Sequence, residues 1–247
     1  MVIYEGPSLL DGKPVVVIAT GFNGSNNAKT GDMIQTWILR SDIDPLQALR
    51  EGEDFSICGD CKHRGLGNGK QRSCYVAVFQ APLNIYRTYK AGKYPKIESH
   101  FALRDLGRNR QIRIGSYGDP AAIPVTIWGA LAADADGCSG YTHQWRNVDN
   151  LELSRYAMAS VDSEQELMEA WKIGWRTFRV RQANEPIKKG EFTCPASKEA
   201  GSKLQCSECL SCNGSRGLDD RRASVTIKVH GKSGIDAAFS KNSGGSK

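Results

Sequence analysis

Hydrophobic and polar positions along this chain change period several times, and each change marks an element. Pro14–Thr20, Pro-Val-Val-Val-Ile-Ala-Thr, is a β-branched run that predicts a buried strand stopped by Gly21. Residues 21–31, rich in Gly, Asn and Ser, predict a loop, and 32–39 a second strand. Asp44 and Pro45 open a short helix, the aspartate as its cap and the proline in its first turn, and Gly52 ends it. Residues 74–80 predict a strand, while 83–90 and 97–104 predict helices separated by a break at 92–95. From Gln111 the alternation becomes regular, with a strand at 111–115, an apolar helix at 123–135 stopped by Gly137, and strands at 139–142 and 156–161. Ser163-x-x-Glu166 is a capping box for a helix reaching Lys172; Gly174 ends it, and 176–181 form the next strand. A last strand is predicted over 223–229.

Strands that alternate with helices, with few hairpin signals, predict an α/β fold with a parallel sheet. About eight strands in all fit a β/α barrel, incomplete or distorted, with an open doubly wound sheet as the alternative. No glycine fingerprint for a dinucleotide is present. The expected organisation is a β/α-barrel-like catalytic domain over 1–187 with an inserted cysteine loop at 58–74. A cysteine-rich metal-binding segment over 188–232 packs on it and supplies a final strand. A flexible Ser/Gly/Lys-rich tail follows over 233–247.

Composition narrows the class. Apolar residues make up 40% and charged residues 24% of the 247, which predicts a folded rather than a disordered chain. A net charge of +6 is compatible with a polyanionic partner without requiring one. No run approaches the ~18 apolar residues of a membrane span, and the first residues lack the basic and apolar regions of a signal peptide. The expectation is a cytoplasmic protein with no membrane partner. Eight cysteines in that setting predict metal binding or redox chemistry rather than a disulfide framework.

The cysteines fall into two groups. Cys194, Cys206, Cys209 and Cys212 place four thiols within 19 residues. That set suits a closed tetrahedral Zn2+ site or, as an alternative, a [4Fe-4S] cluster, with His230 as a reserve ligand. Four thiolates leave no open position, so a structural staple is the simpler role. Cys58, Cys61 and Cys74 form the second group, with Cys138, His63 or an exogenous ligand as a fourth partner. Two residues and then twelve separate these three, a wider second gap than in the usual radical-SAM triplet. They are also compatible with being partly buried small apolar residues.

Polar side chains cluster where the predicted strands end. Asp119, between Gly118 and Pro120, is a candidate general base, nucleophile or base-reading carboxylate, and equally the cap of the next helix. Asp162 has the same ambiguity. His143 is a candidate acid, base or ligand. Tyr141 and Trp145 suit stacking on a nucleobase, Gln144 lies beside them, and Arg113, Arg146, Arg179 and Arg181 suit phosphates. Alternate residues of the same strands must face helices, so some of these side chains are structural.

These motifs resemble those of a phage-borne family called gene-product-88-like and its relatives of unknown function. The matching residues are Cys58-x-x-Cys61 with Ser73-Cys74-Tyr75, Arg113-Ile-Gly-Ser-Tyr-Gly-Asp119, Tyr141-Thr142-His143, Ala159-Ser160-Val161-Asp162-Ser163, Cys194-Pro195-Ala196 with Cys206-x-x-Cys209-x-x-Cys212, and His230-Gly231. The resemblance spans most of the chain and implies a phage or prophage origin, hence a host-cell cytoplasm. The layout is also similar to zinc-bearing β/α barrels that exchange guanine for a 7-deazaguanine in tRNA or phage DNA. That likeness assigns the sugar-attacking and base-reading carboxylates to Asp119 and Asp162, although such enzymes typically hold zinc with three cysteines and a histidine. The leading expectation is a metal-binding phage enzyme acting on nucleic acid by DNA base exchange, with DNA and a purine analogue as partners. The alternatives are an iron–sulfur, radical-SAM-like enzyme and a non-enzymatic, zinc-stapled nucleic-acid-binding protein.

Overall fold

The structure is a computed structural model describing residues 1–24, 29–65, 71–201, 204–230 and 235–243. The chain opens with β1 (Val2–Pro7), β2 (Pro14–Thr20) and β3 (Ile34–Arg40). Four helices follow: α1 (Pro45–Glu51), α2 (Phe55–Cys58), α3 (Ala81–Lys90) and α4 (His100–Gly107). Then come β4 (Gln111–Tyr117), α5 (Val125–Ala132), β5 (Gly137–Ser139), β6 (Tyr141–Thr142) and β7 (Met158–Val161). The chain continues through α6 (Glu164–Lys172), β8 (Thr177–Arg181), β9 (Glu191–Thr193), α7 (Cys206–Cys209), β10 (Ser224–Lys228) and α8 (Ile235–Ser243).

The strands form two five-stranded sheets, and neither closes into a barrel. The first, in the order β1-β2-β3-β4-β5, is mixed: β2 is antiparallel to β1 and β3, and β4 is parallel to β3 and β5. The second, β6-β7-β8-β10-β9, is parallel throughout. Val15 to Ala19 of β2 are wholly buried, as expected of a strand covered on both faces. The sheets meet at Gly140. β5 pairs with β4 and β6 with β7, so the short run 137–142 serves both. Gly140 accepts a hydrogen bond from Met158 N at 2.9 Å, and a Cβ on it would lie 2.3 Å from Ile114 Cγ1. Only glycine allows that approach of two strands.

Local signals placed most elements. Asp44 caps α1, accepting from Leu46 N at 2.8 Å, and Gly52 ends it in the left-handed region. Ser163 Oγ accepts from Glu166 N at 3.1 Å. Glu166 reaches back one residue further than a standard capping box, to Asp162 N at 2.7 Å. Three expectations fail. Residues 74–80 do not form a strand; they run irregularly, with Cys74, Tyr75 and Val76 on a cavity wall. The predicted strand at 139–142 divides at Gly140. The expected tail at 233–247 contains α8, whose Ala238, Phe239 and Asn242 are buried; residues 231–234 and 244–247 lie outside the described residues. β1 and β9 were not anticipated. β9 and β10 both join the parallel sheet, beside a small core of Met158, Phe178, Cys194, Val225 and Ile227.

Candidate functional site

Parallel strands end on one edge, and that edge holds a cavity of about 170 Å³. β4 contributes the turn 115–119, β6 Tyr141 and the following His143, and β7 Ser160 and Asp162. β8 adds Phe178 and Val180, and the end of β10 adds Val229 and His230. The opposite wall comes from the loop after β3, with Cys58, Cys61, His63, Cys74 and Tyr75, and from Ile235 and Phe239 of α8.

The cysteine loop is anchored at several points. Ser73 N and Cys74 N donate to His63 O at 3.2 and 3.0 Å, closing the loop on itself. Asp119 N donates to Ile57 O at 2.6 Å, tying the β4 turn to α2. Gly118 makes that contact feasible: its φ is +82°, and a Cβ would lie 2.7 Å from Ile38 Cβ. Below the loop, Asp54 pairs with Arg64, and one Asp54 carboxylate oxygen has no partner. Burial pushes the Asp54 carboxyl up to about 6 despite Arg64 and Arg72. The three thiols are half-buried; burial pushes Cys61 up to about 12 and moves Cys58 and Cys74 in the same direction.

Asp119 is held as a strut. Oδ1 accepts from Ala121 N at 3.0 Å and from Thr142 Oγ1 at 2.7 Å, and Oδ2 accepts from His143 N at 2.8 Å. It therefore caps the short 3-10 turn at Pro120–Ala122 and fixes β6 to it. Burial pushes its carboxyl up, with His143 and these donors opposing. Asp162 differs. Its Oδ2 meets His63 Nε2 at 2.7 Å and Lys62 Nζ at 3.1 Å, while Oδ1 is buried without a partner. Burial would raise its carboxyl, but His63, His143 and Lys62 outweigh burial and hold it at about 2.

Tyr141 and Arg113 both line the cavity, with the guanidinium 4.7 Å from the ring centre and Phe178 4.3 Å away on the ring. Tyr141 also borders a second, smaller cavity around which Cys194, Cys206, Cys209 and Cys212 gather. His230 is not with them; it lies by Tyr75 in the main cavity. Cys138 is not with the early group either, and its thiol faces Tyr156 O at 3.7 Å.

The remaining candidates lie elsewhere. The two-residue period of β8 turns Phe178 and Val180 to the cavity and Arg179 and Arg181 away from it. Arg179 forks onto Glu191 at 2.8 and 2.7 Å, and Arg181 pairs with Glu199, so neither is free for phosphate. Gln144 braces the cysteine loop through Asp60 Oδ1 at 2.7 Å. Trp145 is buried and donates to Ser160 O at 3.1 Å, and Arg146 lies over its ring and pairs with Glu166 and Glu169. No family model, curated protein or solved structure matches the chain. The site therefore has to be read from its own chemistry.

Three contributors escaped the sequence reading. Lys62 sits on Asp162 and Glu166. Phe239 stacks on His63, with centroids 5.0 Å apart and rings 2° from parallel, while Asn242 Nδ2 donates to Ser73 Oγ at 2.8 Å. The signal was present: Ile235, Ala238, Phe239 and Asn242 fall at i, i+3, i+4 and i+7, one face of a helix.

Proposed function

We propose that the protein is an iron–sulfur enzyme whose cluster is held by Cys58, Cys61 and Cys74, similar in arrangement to radical-SAM enzymes. One observation carries the reading: three thiols from one loop reach the wall of a cavity at the C-terminal ends of parallel strands, where α/β enzymes place their chemistry. The donor chemistry fits. Soft thiols match iron–sulfur, and three of them leave one iron of a four-iron cluster free for an exogenous ligand.

When bound and reduced, such a cluster supplies one electron to split a carbon–sulfur bond of S-adenosylmethionine. The protein's own residues shape the cavity around that chemistry. Tyr141, Phe178 and Arg113 offer aromatic faces and a half-buried cation, Asp119 ties the β4 turn to α2 ahead of the cysteine loop, and Phe239 lines the wall beside His63. Base exchange has less support, because three hydrogen bonds hold Asp119 as a strut between the β4 turn and β6, which leaves Asp162 as the one of the two carboxylates with an unpartnered oxygen. The late cysteine group reads as a structural metal centre, because the core beneath β9 and β10 is small and a metal adds folding energy there.

Anaerobic purification with iron and sulfide supplied tests the reading. Wild type should be brown, lose colour on reduction and convert S-adenosylmethionine to 5′-deoxyadenosine. The Cys58→Ala, Cys61→Ala, Cys74→Ala triple variant should lose that activity and its share of iron and sulfide. Colourless wild type filled with zinc at the early cysteines would sink the proposal.

A further inference from the structure

Beside the cysteine wall lies a second donor set that the iron–sulfur reading does not use. One ligand atom from each of His63, His143 and Asp162 lies within 4.8 Å of the other two. They come from three separate segments: the cysteine loop, the end of β6 and the end of β7. All three line the cavity. Two of their atoms are unexplained. His143 Nε2 and Asp162 Oδ1 are both buried without a hydrogen-bond partner, and the Asp162 side chain is only 1% exposed. Buried polar atoms of native proteins are almost always paired, so two orphans in one cluster call for a missing partner that accepts lone pairs from both.

We propose that His63, His143 and Asp162 form a mononuclear site for a divalent first-row transition metal, zinc or ferrous iron, with coordination positions left open to the cavity. Two imidazoles and one carboxylate suit these ions, and three protein ligands are the mark of sites that keep room for water or substrate. The surroundings are those of a prepared site. His63 Nδ1 is 2.7 Å from Ser73 Oγ, which fixes the ring and leaves Nε2 as the ligand atom. Phe239 stacks on the same ring and restricts its tilt. Lys62 Nζ holds Asp162 Oδ2 at 3.1 Å, leaving Oδ1 for the ion. His63 Nε2 now meets Asp162 Oδ2 at 2.7 Å; with the metal bound, the ring would carry its proton on Nδ1, toward Ser73 Oγ, and turn the Nε2 lone pair to the ion.

The probe is cobalt(II) alone, titrated into metal-stripped protein under nitrogen. His143→Ala is the informative variant, because that side chain has no hydrogen bond at Nε2 to lose and its backbone contact with Asp119 remains. Wild type should bind one more equivalent of cobalt than His143→Ala. The extra ion should show ligand-field bands without thiolate-to-cobalt charge transfer. Asp162→Asn should also lose it, while Cys58→Ala, Cys61→Ala, Cys74→Ala protein should keep it, so this site and the cluster reading fail separately. Equal cobalt stoichiometry in wild type and a His143→Ala protein with an unchanged unfolding transition would overturn the proposal. So would charge transfer on the extra ion, or its loss from a folded triple-cysteine variant.

Discussion

Replacing Glu191 with alanine tests whether the guanidinium of Arg179 is part of the scaffold or a free phosphate ligand. Arg179 and Glu191 are 1% and 0% exposed and joined by two parallel hydrogen bonds of 2.8 and 2.7 Å. Without the carboxylate, the cation keeps only Pro186 O at 3.0 Å and a long contact to Glu185 at 3.4 Å. Lys188 N also loses its acceptor at 2.9 Å. Removing one partner of a buried pair typically costs about 3–5 kcal/mol, because the other charge stays buried and unpaired. At roughly 2–4 °C per kcal/mol for a chain of this size, the melting temperature should fall by about 10 °C. The complementary variant decides the cause. Arg179→Met with Glu191→Leu fills similar space without charge and should recover most of the loss, as replaced buried pairs often do. Urea unfolding of wild type, Arg179→Met, Glu191→Leu and the double variant gives the coupling directly. A Glu191→Ala loss below about 1 kcal/mol, the range of an exposed pair, would show that Arg179 is solvated and available to a ligand.

Three further outcomes follow from the same geometry. Phe239→Ala removes the ring stacked on His63, and the docking of α8 should weaken by roughly 3 kcal/mol; hydrogen exchange and proteolysis across 235–243 should rise while β2 and β3 stay protected. Gly140→Val places a branched side chain where a Cβ already meets Ile114 at 2.3 Å; overpacking of this kind costs about 1–3 kcal/mol, and an unchanged urea midpoint would count against the close joint between the sheets. Asp54 has a folded pKa of about 6, above its unfolded value, so it binds a proton more tightly in the folded protein. Its contribution therefore becomes more favourable as pH falls from 7 to below the unfolded value near 4, by about 3 kcal/mol once both states are protonated. Relative to Asp54→Asn, wild type should gain stability over that interval, and parallel pH profiles would contradict the burial argument.

Much of the scaffold was legible because local chemistry and tertiary packing agree there. Pro14–Thr20 is β-branched throughout and forms a wholly buried strand with those bounds. Asp44, Pro45 and Gly52 bound α1 as capping rules require. The strand ends at Asp119, His143 and Asp162 were found because alternation of strand and helix locates C-terminal edges. Which face each residue takes was not legible. Arg179 and Val180 are neighbours, and only the sheet's placement decides that one enters an ion pair and the other the cavity. Residues 74–80 carry β-forming side chains, yet Cys74 and Tyr75 turn to the cavity and no neighbouring strand pairs with them. α8 was hidden by Ser, Gly and Lys on either side, which masked one apolar face.

The seating of α8 also fixes when in the life of a chain the cavity can exist. Its wall joins Ser73 to Asn242, 169 residues apart, and His63 to Phe239. A ribosome that has released β4 to β8 has made Cys58, Cys61, Cys74, His63, His143 and Asp162, but not yet the helix that closes over them. An ion or cluster can be delivered to these side chains by direct contact before the last helix settles. A chain cut before residue 235 would keep these donors and lose the two contacts that seat the last helix on them, the Phe239 ring on His63 and the Asn242 hydrogen bond to Ser73.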